Sequence, residues 1–178
     1  MPSGSEPGRP GALRLSPPAL GDEGHARTAH AELAPEGFDF LHHPELAWPE
    51  QVRRYALDAR GVDLDPGRVR ATYLLAWVGD ELVGRVSVRH ELNAFLLQVG
   101  GHVGYAVLPA HRRCGYAMAM LRQAVDMLRE EGLDRVLVTC DDDNPSSAAV
   151  IERCGGMLED KRAQGAGRSP KRRYWITL

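Results

Sequence analysis

The run from His102 to Cys140 constrains this chain more than any other. His102–Leu108 (HVGYAVL) is an apolar β-type run that Pro109 stops. Ala117, Leu121, Ala124, Val125 and Leu128 then step by four, three, one and three, the spacing of one helix face across Gly115–Glu131. Gly132 stands where a helix C-cap belongs, and Leu133–Cys140 (LDRVLVTC) reads as a short buried strand. A strand, a long amphipathic helix and a strand in immediate succession indicate a sheet with helices packed on it.

The flanks extend that plan. Ala71–Val78 (ATYLLAWV) and Leu82–His90 (LVGRVSVRH) bracket a Gly79-Asp80 turn, and Val86 and Val88 alternate with Arg85, Ser87 and Arg89, so the pair forms a hairpin. Asn144-Pro145-Ser146-Ser147 opens a second helix that runs through Arg153 and stops at Gly155-Gly156. Met157-Leu158 and Arg173–Leu178 supply the last strands. Upstream, Ala12–Leu15 forms a short first strand, and two short helices with loops reach about Asp65, one starting at Trp48-Pro49-Glu50. Residues 1–11, rich in proline, glycine and serine, read as a disordered tail, and 12–178 as one domain. The fold class is α/β or α+β with one mixed sheet.

Composition removes several function classes. A net charge of −2 exerts no general pull on nucleic acid or anionic membranes. Lys171-Arg172-Arg173 reads as a solvated strand end. No apolar run has the length of a membrane span, and the N-terminus lacks the apolar core of a signal peptide. Cys114, Cys140 and Cys154 are an odd set without a short pairing spacing, which points to reduced thiols in a cytoplasmic protein and to no zinc site. Asp141-Asp142-Asp143-Asn144 lacks the carboxylate spacing, glycine and terminal glutamate of a calcium loop, and adjacent His42 and His43 alone do not define a metal site. Trp48, Tyr55 and Trp77 read as core.

The chemistry concentrates at His111-Arg112-Arg113-Cys114-Gly115-Tyr116-Ala117. A helix start offers unpaired N–H groups and a partial positive charge, which attract anions. Gly115 permits close approach, Ala117 keeps the same face small, and Arg112 and Arg113 add charge at the rim, a combination suited to a pyrophosphate. Neither G-x-x-x-x-G-K-[ST] nor G-x-G-x-x-G after a strand is present. Arg112-x-x-Gly115-x-Ala117 between a strand and a long helix resembles the pyrophosphate loop of the GNAT N-acetyltransferase superfamily. The stretches 89–93 (RHELN), 100–105 (GGHVGY), 138–144 (VTCDDDN) and 173–176 (RYWI) are similar to a bacterial subgroup of predicted acetyltransferases. The resemblance runs from about Thr72 to Leu178.

The resemblance implies a mixed, V-split sheet flanked by helices, with acetyl-coenzyme A as co-substrate and its pantetheine arm between the strands at 102–108 and 133–140. It further implies that backbone groups of Val107 and Leu108 meet the pantetheine amides. The N–H groups of Arg112, Arg113, Cys114, Gly115, Tyr116, Ala117 and Met118 would hold the pyrophosphate, with Asn144 and Ser147 beside the coenzyme. Many members carry a tyrosine seven residues after that Asn as acid to the leaving thiolate, but here the position is Ile151. Tyr116, Tyr174 or water would take that role, or turnover is lost.

An alkylamine acceptor must lose a proton before it attacks, at a cost of roughly 4 kcal/mol at pH 7. His102, on the strand that lines the thioester in such a fold, is the first candidate base; the alternative is a histidine hydrogen-bonded within the sheet. Glu91 and His90 form the second candidate group, while Arg89 either holds an acidic group of the acceptor or pairs with Glu91. Cys140 is read as packing. The expected function is acetyl transfer to the primary amine of a small molecule. Acetylation of a protein N-terminus or lysine, and a catalytically weak acyl-coenzyme A-binding module, are the alternatives. A homodimer through sheet edges is compatible with the family, the strand at 173–178 being the expected edge.

Overall fold

The computed structural model describes residues 12–178; the tail expected at 1–11 lies outside the described residues. One seven-stranded sheet runs in the order β1-β2-β3-β4-β5-β7-β6. Its strands are β1 Arg14–Ser16, β2 Ala71–Val78, β3 Glu81–Arg89, β4 Val103–Val107, β5 Arg135–Asp141, β6 Met157–Arg162 and β7 Lys171–Thr177. The helices are α1 Glu23–Leu33, α2 Trp48–Arg60, α3 Tyr116–Glu130 and α4 Pro145–Arg153.

Alternation along the strands sorts side chains onto two faces. Leu74, Ala76, Val86, Val88, Val103, Val136 and Val138 pack beneath α3 and α4, against Met120, Leu121, Ala124, Leu128 and Ile151. Tyr73, Leu75 and Trp77 face the other way, onto Ala26, Ala29 and Leu33 of α1 and Trp48 and Tyr55 of α2. With both faces covered, β2 reads as a continuous apolar run. At β3–β4, a Cβ on Gly84 would lie 2.3 Å from the Ala106 carbonyl oxygen, so only glycine allows those strands to meet.

β4 is antiparallel to β3 from Val103↔Val88 to Val107↔Gly84, but parallel to β5 at a single position, Val103↔Val138. β5 is instead paired along its whole length with β7, from Arg135↔Thr177 to Asp141↔Lys171. The sheet therefore splits between β4 and β5 beyond Val103. β7 is interior, lying between β5 and β6, which corrects the expected edge at 173–178. Its Tyr174 and Ile176 belong to the core, whereas Met157 and Leu158 of β6 are exposed, so β6 is the edge.

A π-helical turn at Leu96–Gly100 lies between β3 and β4, a feature that no periodicity in the sequence announces. It is tied to the sheet at three carbonyls: Thr139 Oγ1 donates to Val99, Arg173 Nε to Leu97, and Arg89 to Gly100. Gly101 follows at φ +66°, and a Cβ there would stand 2.8 Å from the Leu137 carbonyl oxygen.

Candidate active site

The split is bounded by the free sides of β4 and β5. Leu108 N–H donates to Val83 at 2.9 Å, so strand alternation turns the backbone groups of Tyr105 and Val107 away from β3 and toward the gap. Leu108 also accepts from His111 N–H at 2.9 Å. Both its backbone groups are engaged, which removes Leu108 from the pair expected to meet a ligand. Val107 keeps its N–H, while its carbonyl accepts from Arg112 Nε at 3.3 Å.

At the open end of β4, a 3₁₀ turn at Pro109–His111 leads into α3. Its N-cap, Gly115, sits at φ +83° and has no side chain with which to cap the first turn. The N–H groups of Tyr116, Ala117 and Met118 therefore lack an intrahelical partner. A Cβ on Gly115 would meet nothing within 4 Å, so the approach to this helix end is open. Arg113, at φ +65°, shapes the same loop, and Cys114 is exposed in it. Arg112 departs from expectation: its N–H donates to Pro109 and its guanidinium pairs with Glu36 at 2.7 Å. That ion pair holds the Glu36 carboxyl below its ordinary pKa.

The three expected bases do not form a cluster. His102 is buried at the vertex of the split, with its backbone N–H on Leu137 O and its Nδ1 accepting from Leu137 N–H at 2.9 Å. Burial, the largest cause, lowers its pKa to about 4, so the ring is neutral near pH 7. With Nδ1 used as the acceptor, the proton sits on Nε2 and no lone pair remains for a base. This placement is the alternative weighed for His102, a histidine hydrogen-bonded within the sheet, here pairing β5 where the strands part. His90 is likewise engaged at both nitrogens, by Thr72 Oγ1 at 2.8 Å and Glu131 Oε2 at 2.9 Å. Its side chain joins the start of β2 to the end of α3, and burial lowers its pKa. Glu91 is exposed beyond the end of β3.

α4 begins as its sequence suggests. Asn144 accepts from Ser147 N–H at 3.0 Å as the N-cap, with Pro145 in the first turn. Ser147 Oγ lies 2.8 Å from the Tyr105 hydroxyl, which reaches over from β4. Burial, first among the causes, raises the Tyr105 pKa to about 12. Ile151 is fully buried in the core, and a Cβ on Gly156 would stand 2.5 Å from its Cγ2, so the two positions pack tightly together. Tyr174, an expected alternative acid, gives its hydroxyl to Glu152 at 3.1 Å. Sequence reasoning missed Tyr105; its inward position on a strand beside the split was the available signal.

On the α1–α2 face, next to β4, a cavity of about 210 Å³ is lined by His42, Tyr55, Arg68, Tyr73, Arg89 and Phe95, among others. Tyr55 and Tyr73 stack at 4.3 Å, and the His42 ring meets both edge-on. His42 is neutral: burial first, then Arg85, Arg68 and Arg89, lower its pKa to about 2. Trp48, Tyr55 and Trp77 are buried, although Tyr55 also faces this cavity.

The fold is shared with known proteins. The model of the Acetyltransferase (GNAT) family matches residues 36–156. The chain belongs to that family, and is thereby an acetyl-coenzyme A-dependent acyltransferase. Among solved structures it is similar to Mycobacterium smegmatis RimJ in complex with a CoA-disulfide, with a TM-score of 0.73 and 19% identity, over 96% of this chain and 84% of that one. RimL, a ribosomal L7/L12 alpha-N-protein acetyltransferase in complex with coenzyme A, is similar at a TM-score of 0.70 and 17% identity, over 93% and 94%. A Vibrio cholerae spermidine N-acetyltransferase in complex with CoA and spermine gives a TM-score of 0.66 and 17% identity, over 93% and 95%. No curated protein matches the sequence.

Proposed function

We propose that the protein transfers an acetyl group from acetyl-coenzyme A to the primary amine of a small molecule, by direct attack on the thioester. The observation that carries this reading is the divergence of β4 from β5 after a single paired position, with the uncapped start of α3 at the open end. A pantetheine arm fits that gap because Tyr105 and Val107 turn backbone groups into it, the Val107 N–H among them, and a pyrophosphate suits the open N–H groups of Tyr116, Ala117 and Met118. The coenzyme supplies an activated acyl carbon and a thiol leaving group with a pKa near 8.5. A cavity of about 210 Å³, smaller than a drug-sized pocket of roughly 300–1,000 Å³, favours a small acceptor.

Tyr105 is assigned as the hydrogen-bond donor to the leaving sulfur. Its hydroxyl, oriented by Ser147, stands beside the gap at the start of α4, and its raised pKa keeps the O–H in place to stabilise the departing thiolate. Tyr105 thus stands in for the tyrosine that other family members carry at position 151. With His102 and His90 both engaged, no histidine base is assigned, and the amine proton passes to water in the split. As the amine nitrogen bonds to the acyl carbon and the C–S bond breaks, Tyr105 donates a hydrogen bond to the departing sulfur, which leaves as a thiolate and takes its proton from solvent.

The test is thiol release from acetyl-coenzyme A with a panel of small primary amines, for the wild type and Tyr105→Phe. The expected result is turnover on one class of acceptor, with kcat lower by about a hundredfold in the variant and coenzyme affinity unchanged. Tight coenzyme binding without turnover on any amine refutes the transferase reading in favour of a binding module.

A further inference from the structure

Two arginines, Arg68 and Arg89, line the cavity, and a third, Arg85, lies beneath it on the strand that carries Arg89. Arg85, on β3, is 6% exposed; it donates to the Asp39 carbonyl and lies over the Phe38 and Tyr73 rings, while its Nε has no partner. Arg89, four residues along on the same face, donates only to the carbonyls of Gly100 and Gly101, at 3.3 and 3.4 Å. Arg68 enters from the loop after α2 and meets the His43 ring at 3.4 Å. Among the described residues no carboxylate forms an ion pair with any of the three. Asp58, the acidic group on the wall, is held by Arg54 at 2.9 Å.

A buried guanidinium without a counter-charge is costly, and a bound anion would offset that cost. The like charges add to the effect of burial. Burial first, then Arg85 and Arg68, lower the Arg89 pKa to about 10, with no acidic group among the causes. The cavity is also next to the proposed reaction site: Arg89 lies 3.5 Å from where a Cβ of Gly104 would project, on the strand that borders the split. Gly104 carries no side chain, so none stands between the Arg89 guanidinium and that strand.

We propose that this cavity is the anion subsite of the acceptor: the substrate carries a carboxylate or phosphate as well as its amine, and Arg89 and Arg68 bind that oxyanion while the amine reaches the split past Gly104. This rests on the acetyl-transfer reading for the identity of the substrate, though not for the binding of the anion. Arg85 adds positive potential from below. Tyr55, Tyr73 and neutral His42 form the remaining wall, and the exposed Phe95 stands at the rim. The modest volume suits a small acceptor held by its anionic end.

Two measurements test it. Inorganic phosphate and, separately, acetate are titrated into the wild type, Arg89→Gln and Arg68→Gln while the arginine Nε–H resonances are followed by NMR. The expected result is saturable shifts in the wild type, with affinity weakened about tenfold or more in each variant. Arg68 is exposed and its variant leaves the fold intact, so the test survives any folding defect in Arg89→Gln. Turnover is then compared within matched pairs: β-alanine against β-alaninamide, and phosphoethanolamine against ethanolamine. The anionic member is expected to be used about ten- to a hundredfold better in kcat/KM, the preferred pair naming the oxyanion, and Arg68→Gln should shrink that preference. Absence of saturable anion binding in the wild type overturns the proposal. So does equal use of both members of each pair, an outcome that leaves acetyl transfer standing. Anion binding that depends on Arg89 and Arg68 without turnover of any amine supports the subsite and refutes acetyl transfer.

Discussion

Two side chains carry most of what is specific to this protein. Tyr105 is on β4 but its hydroxyl belongs to the start of α4, through Ser147 at 2.8 Å. Because its pKa is raised to about 12, its acid form survives across the working range, so it imposes no alkaline decline on the rate. The acceptor amine has the opposite effect. With proton loss going to water, kcat/KM should rise about tenfold per pH unit from pH 7 and level off near the amine pKa, about 10. A bell centred near neutrality in the measured profile would show a side-chain base instead. His102 is predicted to matter through structure. His102→Ala leaves the Leu137 N–H without its acceptor, a loss of about 1–3 kcal/mol in denaturant unfolding. The shape of the pH–rate profile should not change, which is the readout a catalytic histidine would alter.

At the level of elements, the succession of strands and helices from 71 to 178 could be read from the chain, because each piece has one dominant periodicity and a glycine, proline or asparagine at its end. α3 ends at Glu130 before Gly132, and α4 is capped by Asn144, both as the spacing predicts. Asn144→Ala should cost about 1 kcal/mol of stability in a thermal melt. Gly84→Ala should cost more, about 1–3 kcal/mol, since the clashing atom is a backbone carbonyl on β4 that cannot move aside without parting the strands. The π-turn at Leu96–Gly100 was not legible, because side-chain donors on β3, β5 and β7 hold it from outside. The position of β7 was hidden for a related reason. Sequence order does not say whether a last strand adds at an edge or inserts, and a pairing partner on each side decided it.

For the molecule as a whole, the helix start at Gly115 and its arginine-rich loop were visible in sequence, whereas the uses of individual polar side chains were not. A histidine beside a strand looks the same in sequence whether its nitrogens are free or taken. Arg89 was expected either to hold an acceptor acid or to pair with Glu91; in the structure it pairs with no carboxylate among the described residues. The engaged histidines also set a whole-molecule pH response. His102, His42 and His90 all have folded-state pKa values below the ordinary 6.5, the first two at about 4 and about 2. The unfolded chain therefore binds more protons below pH 6.5, so stability is fully present above that pH and falls as the pH drops toward 4. Melting temperatures recorded from pH 8 to 4 should decline through this window, and His102→Asn should flatten part of the decline.

The account stands on the split between β4 and β5 being the coenzyme's seat. A crystal structure of the protein soaked or grown with coenzyme A addresses that directly. The expected density has the pantetheine between β4 and β5, its amides on the backbone of Tyr105 and Val107, the pyrophosphate on the N–H groups of Tyr116 to Met118, and the sulfur near the Tyr105 hydroxyl. Coenzyme bound elsewhere, or β4 and β5 closed together with the helix start unused, would contradict it.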